Sequence, residues 1–476
     1  MSESPLSIHL IAIGGTGMAP LACLLQDLGH RVRGSDQPLY PPMSTLLADC
    51  GIDPLVGYDP AHLDPQPDLV IVGNAVTRTN AEAVEAERRG LPIVSMPQAL
   101  YRYLLAGRRP LVVAGTHGKT TTTSLAAWVL TDCGADPGYL IGGVPKDLGR
   151  SFRRGGGDRF VVEGDEYNAA YFDRNPKFLH YRPETLILTS AEYDHADLYG
   201  SPADLLSVYG RLLETVPPEG LAILHGDSQE LRALAGRARC RVLFYGLGAD
   251  SDLRPAAPPE PVAGGGSRFR IDDAEGGEVE VEIRLSGRHN VLNALAVWAA
   301  ARHDGQPAEA VARALGRFSG VRRRQDELGT ESGVTVMDDF AHHPTAVSET
   351  LRGLRSRYGG RRLVVLFEPR SLTAGRSFFQ EPYRDAFAKA DRVLLAPIFY
   401  RERFAEADRL DLPRLARELT EHGTPTTACA SSEEVFETAL AEVQPGDVVV
   451  TMSSGSFDGM AARVLAALGE REAAAV

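Results

Sequence analysis

Residues 108–130 read RRPLVVAGTHGKTTTTSLAAWVL: an unbroken apolar run, a glycine turn, then a helix-forming stretch. An apolar run with no alternation belongs to a strand covered on both faces, the situation of parallel sheets flanked by helices. The same grammar recurs along the chain. SIHLIAIGGTGMAPLACLLQDLGHRVRGSD (residues 7–36) repeats it, with Leu21, Leu24, Leu25 and Leu28 at helical spacing. DLVIVGNAV, RFVVEGDE, ETLILTSAEYDH, VTVMDDF, RRLVVLFEP, DRVLLAPI and GDVVVTM are further apolar strands, most of them ending in polar residues. Alternating strand and helix predicts an α/β chain with parallel sheets. Its 476 residues leave room for about three domains of ordinary size. We expect them at residues 1–108, 109–320 and 321–476. The first and third are Rossmann-like. The second is a P-loop-type ATPase domain carrying a small antiparallel insertion, because residues 240–285 turn Pro- and Gly-rich and hold the alternating segment GGEVEVEIRLSG.

The turn in residues 113–124, VAGTHGKTTTTS, is the feature that electrostatics marks for chemistry. Backbone N–H groups and a helix N-terminus favour bound phosphate there. Gly115 and Gly118 permit close approach of the backbone, with Thr116, His117 and Thr121 completing the cradle. Lys119 neutralises the terminal phosphates, and the Thr120 hydroxyl is placed to meet magnesium. The usual consensus has glycine where this chain has Val113, so the loop is shortened. Only Lys119, Lys146, Lys177 and Lys389 of the 50 basic residues are lysine, and one of these four stands in the loop. Magnesium takes oxygen ligands. Glu163, Asp165 and Glu166 end one strand; Glu192, Asp194, His195 and Asp197 follow another. Thr120, Glu163, Glu166 and His195 are the metal candidates, with Lys119, Glu166 and His195 the catalytic ones. Imidazole suits magnesium poorly, so His195 either holds a metal-bound water or is structural.

The first segment carries a near miss to the dinucleotide fingerprint. Gly14, Gly15, Thr16, Gly17 and Met18 form the turn, and Asp36 follows at about the 20-residue spacing of a ribose-binding acid. These residues alone do not separate NAD from a UDP-linked sugar, since both place a diphosphate on a helix N-terminus. The net charge of −13 argues against broad nucleic-acid binding. There is no run of about 18 apolar residues and no basic leader, so we expect a cytoplasmic protein without membrane insertion. Five cysteines are scattered with no CxxC pair and read as reduced thiols.

Taken together, the motifs resemble the Mur ligase family of ATP-dependent amide-forming enzymes of bacterial cell-wall synthesis. That resemblance accounts for the shortened loop. GRHNVLNALAV (residues 287–297) is similar to the family's adenine-side motif, implying nucleotide contacts from His289, Asn290 and Asn293. GVRRR, with Arg322, Arg323 and Arg324, resembles the arginines near the domain junction, and DDFAHHP (residues 338–344) the motif that closes over nucleotide and substrate. These imply roles for Arg324 and Asp339 toward ATP and for His343 toward substrate. IGGTGM resembles the UDP-binding turn of members that take UDP-N-acetylmuramate. GSDQPLYPPMSTLL, GNAVTRTN (with Asn74), GYLIGGVPKDLG, YFDRNPKFLHYRP and EPRS are similar to members that attach an intact murein tripeptide. Arg370 and Ser371 of EPRS are then candidates for the tripeptide carboxylates. The resemblance implies ATP and Mg2+ as cofactors, and UDP-N-acetylmuramate and L-Ala-γ-D-Glu-meso-diaminopimelate as partners. Two departures stand out. No lysine lies between Lys177 and Lys389, so the carbamylated lysine of many family members is absent, and the first turn lacks the usual ICGTFM. Attachment of L-alanine is the nearest alternative. A nucleotide-sensing module and an NAD-dependent oxidoreductase are alternatives of other classes. The oligomeric state is not legible.

Overall fold

The structure, a computed structural model, describes residues 4–194, 198–273 and 277–475. Three largely parallel sheets follow one another along the chain. The first is ordered Leu55–Val56, Arg31–Asp36, Ser7–Ile11, Leu69–Val72, Ile93–Ser95, with every pair parallel. The second runs Arg241–Tyr245, Leu221–His225, Thr185–Leu188, Arg109–Ala114, Arg159–Glu163, Gly138–Leu140, Phe152–Arg153, with only the last pair antiparallel. The third is Asp326–Glu331, Val334–Asp339, Val448–Met452, Leu363–Phe367, Arg392–Leu395, Thr426–Ala428, antiparallel only at its first pair. The apolar runs in the sequence are these strands: Val112, Val113, Ile187, Val365 and Val450 are all wholly buried.

The expected antiparallel insertion is present but smaller than expected. Strand Arg241–Tyr245 pairs in parallel with Leu221–His225 as the edge of the central sheet. The separate sheet consists of Glu260–Pro261, Ser267–Asp273 and Gly277–Ile283. In its two long strands burial alternates, so Phe269, Ile271, Val279, Val281 and Ile283 face inward while Arg268, Arg270, Glu278, Glu280 and Glu282 face out. That is the period-two pattern of a sheet with one wet face. The composition change near residue 240 marked a surface turn, not a change of sheet.

One apolar cluster runs continuously from the first sheet into the central one, joining Ile8, Leu10 and Leu24 to Val112, Ala114, Phe178 and Leu186. The C-terminal sheet has its own cores on its two faces. It meets the central unit through polar contacts: Lys146 Nζ to Asp326 Oδ1 at 2.6 Å, Arg324 Nη2 to Thr120 Oγ1 at 3.1 Å, and Thr345 Oγ1 to Glu192 Oε2 at 2.6 Å. Polar junctions of this kind permit relative domain motion more readily than a shared core does.

The expectation of five reduced cysteines is overturned. Cys23 and Cys50 form a disulfide with Cα atoms 5.9 Å apart, while Cys133, Cys240 and Cys429 are free. Helix Met18–Asp27 and helix Met43–Asp49 pack side by side, bringing Cys23 against the residue that ends the second helix. A sequence separation of 27 carries no pairing signal. Among the described residues no helix is long and apolar enough to cross a membrane.

Candidate active site

In open parallel sheets, ligands gather beyond the carboxyl ends of the strands. The loop after Arg109–Ala114, the fourth of seven strands in the central sheet, leads into helix Lys119–Asp132. Gly115 has φ 126° and Gly118 φ 80°, conformations that strain any residue with a Cβ. A Cβ on Gly115 would lie 2.8 Å from the Ser190 nitrogen, so glycine there also admits the neighbouring strand end. That end braces the loop: Ser190 Oγ accepts from His117 N at 2.8 Å, and Thr116 Oγ1 donates to the Glu192 carbonyl at 2.7 Å. By helix geometry the N–H groups of Lys119, Thr120 and Thr121 have no partner within the helix and are available to an anion.

Lys119 Nζ folds back to donate to the Gly115 carbonyl at 2.6 Å and to Glu166 Oε1 at 3.0 Å. Burial alone would lower its pKa, but the carboxylates of Glu166, Asp165 and Glu163 outweigh it and hold the ammonium above the usual lysine value. Thr120 Oγ1 donates to Glu163 Oε1 at 2.9 Å, and Gly142 N donates to Glu163 Oε2 at 2.7 Å. Thr120 and Glu163 thus offer two oxygen donors side by side, next to the lysine, which fits a magnesium ion. Glu166 faces the lysine. Asp165 is ion-paired with Lys177 at 2.8 Å. His195 and Asp197 lie outside the described residues.

Helix Arg288–His303 packs on the loop helix. Thr122 Oγ1 donates to Asn293 Oδ1 at 3.0 Å, Asn293 Nδ2 to Asn290 Oδ1 at 3.1 Å, and Asn290 Nδ2 to the Ser286 carbonyl at 2.8 Å. Both asparagines are buried, so these bonds lock the two helices together; His289, about a third exposed, is the accessible member of the motif.

On the carboxyl edge of the third sheet stand Asp339, His343, Arg370 and Gly455. Asp339 is buried, which pushes its carboxyl pKa up, and it accepts from Gln325 N and Ala341 N, both at 2.7 Å. It therefore shapes the junction between the arginine segment and the HHP turn. Arg324 lies over the Phe340 ring at 4.3 Å and reaches Thr120. Arg370 lies 3.7 Å from the Phe399 ring centroid and 3.5 Å from Glu368 Oε2, while Ser371 Oγ accepts from Ala374 N at 2.9 Å. On the first sheet's edge, Asp36 Oδ2 accepts from Gly14 N at 2.8 Å and Asp36 Oδ1 from Tyr58 at 3.1 Å. Gly17 precedes helix Met18–Asp27, and Gly15, Thr16 and Asn74 are exposed beside it. The described candidates lie on these three edges except His289, Asn290 and Asn293, which are on helix Arg288–His303, and Arg324, which precedes strand Asp326–Glu331.

Comparison with known proteins agrees with this layout. Residues 7–108 match the Mur ligase family catalytic domain, 113–301 the Mur ligase middle domain, and 323–455 the Mur ligase glutamate ligase domain. The UDP-N-acetylmuramate–L-alanyl-γ-D-glutamyl-meso-2,6-diaminoheptandioate ligase of Escherichia coli is 38% identical, covering 98% of this chain and 99% of that one. This chain belongs to the Mur ligase family. Like its relatives, it is a ligase that forms C–N bonds. A UDP-N-acetylmuramate–L-alanine ligase of Methylibium petroleiphilum is 36% identical, covering 98% and 99%. The crystal structure of a murein peptide ligase from Psychrobacter arcticus superimposes with a TM-score of 0.72 at 33% identity, covering 98% and 99%.

Several residues of this Mur ligase site escaped the sequence reading. Thr189 and Ser190 brace the loop from behind, Gly142 anchors Glu163, and Glu368 and Gly455 flank Arg370. The GYLIGG stretch holds Gly142, but nothing in it announced a partner 21 positions away.

Proposed function

We propose that this ligase joins L-Ala-γ-D-Glu-meso-diaminopimelate to UDP-N-acetylmuramate at the expense of ATP, in cytoplasmic recycling of cell-wall peptides. The observation that carries the reading is the full-length likeness, at 38% identity, to a relative whose name specifies that donor and acceptor. The geometry supports it at each step. The first-sheet turn at residues 14–18, with Asp36 and Asn74, suits a UDP-linked donor. The loop at residues 115–121, with His289, Asn290, Asn293, Arg324 and Asp339 around it, suits ATP. Arg370 and Ser371 suit the peptide carboxylates, with His343 between nucleotide and acceptor. The limits 1–108, 109–320 and 321–476 divide these tasks among three domains.

A carboxylate approaching the terminal phosphate of ATP is repelled; two unit charges 4 Å apart at an effective dielectric of 20 repel by about 4 kcal/mol. Lys119 and the loop N–H groups offset this and stabilise the transferring phosphoryl group. Magnesium, held by Thr120 and Glu163, supplies further charge neutralisation when bound. The lactyl carboxylate becomes an acyl phosphate with release of ADP. The acceptor amine then attacks the acyl carbon, phosphate leaves, and the amine proton passes to a base. Before that step Glu166, paired with Lys119, orients the ammonium.

The second reading, attachment of L-alanine, is favoured by the 36% identity of a ligase so named. Phosphate release with ATP, UDP-N-acetylmuramate and either acceptor separates the two. The tripeptide should support turnover at least tenfold better in kcat/KM, about 1.4 kcal/mol of transition-state preference; the opposite preference transfers the assignment to alanine.

A further inference from the structure

At the polar junction between the central and C-terminal units, two imidazoles converge on one carboxylate. His117 belongs to the phosphate loop, Glu192 follows strand Thr185–Leu188, and His343 caps helix Pro344–Tyr358. Glu192 Oε2 is 3.4 Å from His117 Nε2 and 3.9 Å from His343 Nδ1; the three ligand atoms all lie within 4.8 Å of one another. The two rings are tilted against each other with centroids 4.5 Å apart. His117 Nε2 is buried and makes no well-aligned hydrogen bond among the described residues. The Thr345 hydroxyl donates to the same carboxylate oxygen at 2.6 Å, fixing its orientation as outer partners of metal ligands do. The carboxylate of Asp194 lies close enough to His343 to act on it electrostatically, adding negative potential.

We propose that His117, Glu192 and His343 bind a divalent transition-metal cation of the zinc class, fastening the C-terminal unit onto the phosphate loop. Two neutral imidazoles and a carboxylate form a donor set suited to zinc-like ions, which accept nitrogen ligands that magnesium shuns. His343 Nδ1 accepts the Thr345 N–H at 3.3 Å, a long cap bond that gives way when the lone pair turns to a metal; with that, small side-chain rotations shorten the ligand spacings to those of a metal at about 2.0–2.2 Å from each donor. Glu192 is partly exposed, so the fourth position opens to water. This site is distinct from the oxygen pair of Thr120 and Glu163. Since His117 comes from the loop and His343 from the C-terminal unit, the bound ion ties together two parts that must separate for substrates to enter and products to leave.

The test is titration of the full-length chain with Co2+ in excess Mg2+, after alkylating the half-buried thiols of Cys133 and Cys240 so that cysteine does not compete. The expected result is one equivalent bound, with the visible absorption of a four-coordinate ion. Binding should weaken at least tenfold in Glu192→Gln and again in His117→Ala, with circular dichroism showing both variants folded. No absorption band in the parent chain, or a band bound by either variant as tightly as by the parent, overturns the site. The readout is independent of which acceptor the ligase uses.

Discussion

In the proposed mechanism Lys119 is the residue on which the chemistry turns. Its ammonium is held charged by three neighbouring carboxylates despite its burial, and it sits on the loop carbonyls at the mouth of the helix. Removing it leaves Glu166 buried without its cation and the phosphates without their nearest positive charge. Lys119→Ala should lower the ligation rate by about 10²–10³-fold or more, in the range found for deleting one transition-state donor. Phosphate release checks the rate, and circular dichroism checks that the variant is folded; a near-normal rate would remove the lysine from the mechanism. The lysine was legible in the sequence because glycine, lysine and threonine in that order follow a strand. The role of Glu166 was legible only as an acid near the loop. Its pairing with Lys119, while Glu163 takes Thr120, depends on how the strand Arg159–Glu163 registers beside Arg109–Ala114, which the spacing of letters does not encode.

Among the elements, the C-terminal strand ends decide how Arg370, the arginine proposed for the acceptor, is presented. Arg370 follows strand Leu363–Phe367, and Gly455 follows the adjacent strand Val448–Met452. A Cβ on Gly455 would overlap the Arg370 side chain, which is confined on its other sides by the Phe399 ring and Glu368. Glu368 is itself held by the Ser453 hydroxyl at 2.6 Å. Three elements distant in sequence therefore set one guanidinium. Gly455→Ala should displace it and raise KM for the peptide acceptor by about tenfold while leaving KM for ATP unchanged, the mark of lost acceptor binding. Steady-state kinetics with each substrate varied in turn measures this, and equal changes in both constants would show general damage to the domain. EPRS named the arginine in the sequence. Gly455 and Phe399 were silent, because a glycine matters here for what occupies the space its side chain would fill.

At the scale of the whole molecule, stability depends on buried groups that must stay neutral. His225 ends strand Leu221–His225 and stacks on Tyr245 at 5.4 Å. Burial lowers its pKa, and nearby Asp227, 3.6 Å away, only partly opposes that. A histidine whose folded pKa lies below its unfolded value of about 6.5 favours the native state fully above that value, and the contribution is lost as pH falls below it. The melting temperature should therefore fall between pH 7.5 and 5.5, and His225→Gln should reduce that fall, as calorimetry at the two pH values would register. An identical fall in both proteins would assign the acid sensitivity elsewhere. Periodicity and turn chemistry, which are local, were enough to read the parallel α/β architecture, the glycine turn between strand Arg109–Ala114 and helix Lys119–Asp132, and the family motifs. The disulfide between Cys23 and Cys50, the clasp of His117, Glu192 and His343, and the cradle of Arg370 were decided only by tertiary structure. Each joins residues whose proximity is set by helix packing, strand order and domain closure, and these are properties of the assembled backbone that no single stretch of sequence contains.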